Sequence, residues 1–142
     1  MVRRGALAAA AILACALLLG SPAHAQGQLA ESLVGTWEGE LQPLGKGTRE
    51  DPHRTLIIRS VQQKNGKWVG EGRFGITGKG LARVQIEVDA SGPRPWIRFV
   101  TNVSATVRLE LLDEQLVGTF SRRELGGTPG TDRAIKLERR KG

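Results

Sequence analysis

"LVGTWEGEL", residues 33–41, decides how the rest of this chain is read. Leu33, Gly35, Trp37, Gly39 and Leu41 fall on one face of an extended segment, with Thr36, Glu38 and Glu40 on the other. That period of two belongs to a half-buried β-strand and not to a helix. "LVGTFSR" at 116–122 repeats the opening, and "WVGEGRF" at 68–74 echoes it. Each sets glycine and a large aromatic on the same face. A tightly curved sheet crowds its inward side chains, and glycine relieves the crowding and permits the bend.

Working outward, the same alternation predicts eight strands: 33–41, 53–62, 67–75, 81–88, 95–101, 105–112, 115–122 and 132–140. It is cleanest in the fourth, where Ala82, Val84, Ile86 and Val88 oppose Arg83, Gln85 and Glu87. The second strand is apolar on both faces, so alternation alone does not set its register. Helical spacing is limited to one turn within "QLAESL" (28–33). The connections are tight. "KNGK" (64–67) carries an Asn-Gly hairpin signature; Asp113-Glu114 is a second short turn, and "DASGPRP" (89–95) holds Gly and Pro where a reversal belongs. Strands joined this way are antiparallel. The expected fold is all-β, an eight-stranded up-and-down barrel, because closure removes both exposed edges. The alternative is a small sandwich of two sheets.

The first 25 residues are expected to stand apart from this barrel. Arg3 and Arg4 precede an apolar run from Gly5 to Leu19, then Pro22 and Ala23-His24-Ala25. That is the layout of a secretory signal cleaved after Ala25. The run is too short for the ~20 apolar residues of a membrane span. The expectation is a signal over 1–25, a lead-in over 26–32 and one domain over 33–142, exported to the periplasm or secreted. Lipid anchoring through Cys15 is the alternative. Cleavage would take two of 21 basic residues and none of 14 acidic ones, lowering the net charge from +7 to +5. It would also take the sole cysteine, leaving no disulfide. The chain's oligomeric state leaves no mark in its sequence.

Gly35-Thr36-Trp37 at the start of the first strand resembles the Gly-x-Trp signature of the lipocalins and wider calycin barrels. The spacing from Leu33 to Leu41 is similar to the opening of small lipocalin-like domains of exported bacterial proteins. The resemblance implies a cup for a small, often apolar molecule. It also implies that the signature tryptophan packs near the closed end against a basic side chain of the last strand. Antiparallel pairing of the first and eighth strands brings Arg139 beside Trp37, a cation–π arrangement. Gly35, Trp37 and Arg139 are the expected structural set.

Chemistry is sparse. His53 is the one histidine after residue 25, and there is no tyrosine. Zinc ligation by His and Cys is therefore excluded for the domain. No Gly-x-Ser-x-Gly elbow occurs, and "GITGKG" (75–80) lacks the full phosphate-loop string. Neither an enzyme nor a cofactor is expected. In an up-and-down barrel the loops 42–52, 75–80, 102–104 and 123–131 share one end. They form a mouth with Lys46, Arg49, Arg54, Lys79, Arg122, Arg123 and Arg133 against Glu50, Asp51, Glu124 and Asp132. The leading expectation is a small amphipathic ligand. Trp37, Trp68, Phe74 and Phe120 would line the interior, and Arg49, Arg54, Lys79, Arg122 and Arg133 would form a basic rim. The alternative is a filled barrel that offers Arg73, Arg83, Arg98 and Arg108 to an acidic envelope component or protein. Inward aromatics and export both argue against nucleic acid.

Overall fold

A computed structural model of the chain describes residues 22–45, 47, 49–122 and 132–141. Residues 1–21 of the expected signal, Cys15 included, lie outside it, as do Lys46, Arg123 and Glu124 of the expected mouth. The order is α1 (Pro22–Leu33), β1 (Gly35–Leu41), β2 (His53–Lys64), β3 (Lys67–Ile76), β4 (Ala82–Asp89), β5 (Trp96–Val100), β6 (Ala105–Leu112), β7 (Gln115–Arg122) and β8 (Asp132–Arg139). The eight strands form one closed barrel in sequence order, every neighbour antiparallel, with β8 returning to β1. The barrel, and not the sandwich, is the fold.

The helix is longer than the single turn expected from the sequence. It spans Pro22–Leu33 and so crosses the boundary expected after Ala25. Leu29 and Leu33, four residues apart, share a face and are buried with the core. Leu33 therefore reaches the core from the end of α1 and not from a strand. The last carbonyls of a helix lack internal partners, and here the barrel supplies them. Trp37 Nε1 donates to Leu33 O at 2.9 Å, and Arg139 donates to Ser32 O and, at 2.9 Å, to Val34 O. Arg139 pairs with Trp37 in the β1–β8 register, and its guanidinium lies 4.4 Å from the ring centroid. Helix, first strand and last strand meet at this point, the base of the barrel.

The glycines have a more specific cause than crowding among inward side chains. A Cβ on Gly39 would lie 1.9 Å from Lys136 O, and one on Gly118 would lie 1.7 Å from Arg108 O. The obstacle is the backbone of the adjacent strand, which cannot swing away as a side chain can. In β2, Arg59 is the extra residue of a bulge between Ile58↔Gly72 and Ser60↔Glu71. The bulge shifts the alternation by one, so Leu56, Ile58 and Val61 are all buried. This resolves the ambiguous register. Asn65 and Gly66 take the positive φ values (51° and 78°) of a tight hairpin turn. β4 and β5 pair at only three positions, from Glu87↔Arg98 to Asp89↔Trp96.

Two measurements check this packing. Gly118→Ala should lower stability by about 1–3 kcal/mol, the usual cost of overpacking, whereas Gly92→Ala, with nothing within 4 Å of the added atom, should change little; equal urea midpoints would refute the close approach. Trp37→Ala should cost about 3–5 kcal/mol. Arg139→Ala should cost less, about 1–3 kcal/mol, for a cation–π contact and its hydrogen bonds. The double mutant should lose less than the sum, since both changes break one contact. Strict additivity in urea unfolding would uncouple the pair.

Candidate functional site

Strand direction sorts the molecule into two ends. β1 starts at the base and delivers the chain to the 42–52 connection. β3, β5 and β7 finish at the same end, opposite α1. The interior is filled in its lower half by Trp37, Ile58, Ile86, Ile97, Leu109, Leu116 and Leu137, all buried. Phe74 and Phe99 pack edge to face at 5.1 Å. Above them the barrel opens into a cavity of about 970 Å³.

Phe74 and Phe120 line this cavity, with Ile76, Ala82, Leu44 and Val103 as further apolar walls. Among the described residues four cations and one carboxylate line it as well: Arg54, Lys79, Arg122 and Arg133, against Glu50. Two of the expected interior residues lie elsewhere. Trp37 is fully buried at the base, below the opening. Trp68 lies on the inward face of β3 but at its base end, half-buried against the core. Both are separated from the cavity by filled core, so neither is among its lining residues. Arg49 is exposed and also outside the lining.

Arg54 and Arg133 are the distinctive pair. Each is the second residue of its strand, β2 or β8, and inward alternation points both into the barrel. They are 6% and 7% exposed. A buried charge requires a partner, and the two guanidiniums share one. Glu50 Oε1 accepts from Arg54 Nη2 at 2.9 Å and from Arg133 Nη1 at 3.3 Å, while Oε2 accepts from Arg133 Nη2 at 3.0 Å. The remaining donors reach backbone: Arg133 Nε donates to Gln42 O at 2.8 Å, and Arg54 Nη1 to Asp51 O and His53 O. The 42–52 connection is held to β8 further by Gln42 N donating to Ala134 O and Ala134 N donating to Gln42 Oε1. Sequence reasoning counted Glu50 only as a charge offsetting the rim. Its spacing of four from Arg54 was the available signal, but its second partner lies 83 residues away.

His53 opens β2 on the exposed surface. Its Nδ1 is 2.9 Å from Asp51 Oδ1 and its Nε2 is 3.4 Å from Glu40 Oε1. Asp51 Oδ1 also accepts the His53 backbone N–H at 3.0 Å. That backbone bond, then the ring contact, holds the Asp51 carboxyl below its ordinary value of 3.8. Among the described residues no cluster of His, Cys, Asp and Glu could hold a metal ion, and no helix is long and apolar enough to cross a membrane. The outward strand faces are charged, with Glu71, Arg83, Glu87, Arg108, Lys136 and Glu138 exposed. That is the reverse of the polarity a lipid-embedded barrel requires.

The outer arginines expected to form a basic face stand in two cross-strand pairs, Arg73↔Arg83 and Arg98↔Arg108. Arg98 reaches Glu87 at 3.3 Å, and Arg108 lies 4.3 Å from the centroid of Trp96. Trp96 therefore faces outward, an exception to the inward aromatics. A groove of about 660 Å³ runs along the outside where β4 and β5 separate, bordered by Lys64, Arg83 and Arg98 with Glu71 and Glu87.

Compared with family models, with curated proteins and with solved structures, the chain matches none.

Asp51 yields a prediction with a defined sign. A carboxyl whose folded-state pKa is depressed contributes stability above its unfolded value, near 3.8, and loses it as pH falls through the folded value. Asp51→Asn keeps an acceptor and removes the charge. The gap in urea midpoint between wild type and Asp51→Asn should therefore narrow between about pH 6 and about pH 3. A constant or widening gap would show that the ionised form contributes nothing.

Proposed function

We propose that this chain is an exported, non-enzymatic, lipocalin-like barrel that binds a small amphipathic molecule with an anionic head. One observation carries the reading. Among the described residues, a cavity walled by Phe74 and Phe120 is lined by four cations and one carboxylate, and two of the cations are buried. An apolar body would lie against the phenyl rings, and an anionic head would meet Arg54 and Arg133. Local positive charge behind low-dielectric walls attracts anions and concentrates them at the opening. The volume is within the range of small-molecule sites. The Gly-x-Trp strand with its arginine at the base supports the lipocalin-like part of the reading.

An anionic naphthalene sulfonate dye provides the test. Its fluorescence should rise on addition of the protein and fall again when a medium-chain fatty acid is added. Phe120→Ala should weaken dye binding about tenfold, in keeping with the roughly 1.5–3 kcal/mol of burying one large apolar side chain. A protein that neither enhances the dye nor shifts its melting temperature across a panel of anionic amphiphiles has no such site.

A second reading draws on the outer arginine pairs. Like charges directly opposite across strands are destabilising, and an acidic partner in the β4–β5 groove would relieve them. Retention on an acidic polymer that is lost on Arg83→Gln with Arg98→Gln, but kept on Phe120→Ala, would favour this surface over the cavity.

A further inference from the structure

We infer that the head group is a carboxylate, and that it binds by taking the place of Glu50 between Arg54 and Arg133, releasing the 42–52 connection from the rim. This rests on the ligand-binding reading and goes one step further: the chain's own side chain already occupies the head-group site.

The geometry is that of carboxylate recognition. Both Arg133 terminal nitrogens meet the two Glu50 oxygens, at 3.3 and 3.0 Å, and Arg54 adds a third donor at 2.9 Å. A planar guanidinium fork matches the two oxygens of a carboxylate. The fork is also fixed beforehand. Arg54 is tethered through Nη1 to His53 O on its own strand and both stems belong to strands, while the bonds of Arg133 Nε to Gln42 O and of Arg54 Nη1 to Asp51 O tie the pair to the two ends of the connection. Glu50 differs in each respect. It sits between strands, its side chain is 31% exposed, and its side-chain partners among the described residues are these two arginines. When one carboxylate leaves and another arrives, the strands and the two ends of the connection hold the fork, and the stretch that carries the Glu50 side chain yields.

The exchange replaces one negative charge by one negative charge and three hydrogen bonds by three. The head group therefore contributes selectivity, and net affinity comes from the apolar body entering the cavity. Two consequences follow. Acetate, with almost no body, should not displace Glu50. Affinity should then rise roughly fourfold for each added methylene until the cavity is full.

Two arms test this. In the first, amide hydrogen exchange across 42–52 is followed in the wild-type protein with saturating decanoate or saturating decanol. Decanoate should speed exchange there, because the latch is released; decanol, which fills the cavity without a carboxylate, should not. In the second, Glu50→Gln removes the internal competitor and should tighten decanoate binding about tenfold, well beyond any change in decanol binding. Since Glu50→Gln also strips two buried cations of their counter-ion, its folding is checked by thermal melting, and the wild-type exchange arm stands if it fails. Decanoate binding with unchanged or slower exchange at 42–52, or with weaker binding to a folded Glu50→Gln, would overturn the exchange and leave the ligand-binding reading intact. No binding of decanoate or decanol to wild type would overturn both.

Discussion

One guanidinium ties the base of this barrel together. Arg139 ends the last strand, covers the ring of Trp37 on the first, and donates to the carbonyls of Ser32 and Val34 at the end of α1. A closed barrel needs its first and last strands to find each other across the whole chain, with little local help. The indole supplies a flat apolar face and an N–H for Leu33 O, and the arginine supplies charge and several donors. Together they satisfy a helix terminus that would otherwise be buried without partners. Gly35 at this junction has φ 146°, and a Cβ there would come within 2.9 Å of Arg139 Nη1. The glycine of the first strand thus makes room for the lock itself.

A second constraint is the closeness of the strands. At Gly39 and Gly118 the neighbouring backbone occupies the position a Cβ would take. Such contacts let a small barrel close tightly, and tight closure lets the side chains of the lower half fill it. The filled half is a rigid floor. The open half follows because Arg54 and Arg133 occupy inward positions near the top, where strands feed into connections. Long charged side chains cannot pack as a core does; they need acceptors, and the connection that bears Glu50 provides them.

The architecture was legible in the sequence to a large extent. Strict alternation in "ARVQIEV" (82–88), the Asn-Gly turn at 65–66 and the spacing of the strands all report local physics, since each depends on residues close in the chain. The pairing of Arg139 with Trp37 was legible too, because an up-and-down order makes the β1–β8 register almost arithmetical. What alternation missed has a common cause. The bulge at Arg59 reverses the facing of half of β2, and no local composition distinguishes it from an unbroken strand. The assignment of Trp37 and Trp68 to the cavity failed for a related reason: period two tells which face a residue takes, and not how far along the barrel the filling extends.

The sequence by itself determined an all-β chain of eight antiparallel strands, the end at which the long connections gather and the positive balance of that end. Those properties sum over neighbours along the chain. The tertiary structure alone decided that two of the cations are buried side by side, that a single carboxylate from the 42–52 connection holds both, and that the space beneath them is open. Glu50 and Arg133 are 83 residues apart. Only closure of the barrel brings their strands and connections to one rim, and only burial turns a scattering of surface charge into a site where each ion must have a partner.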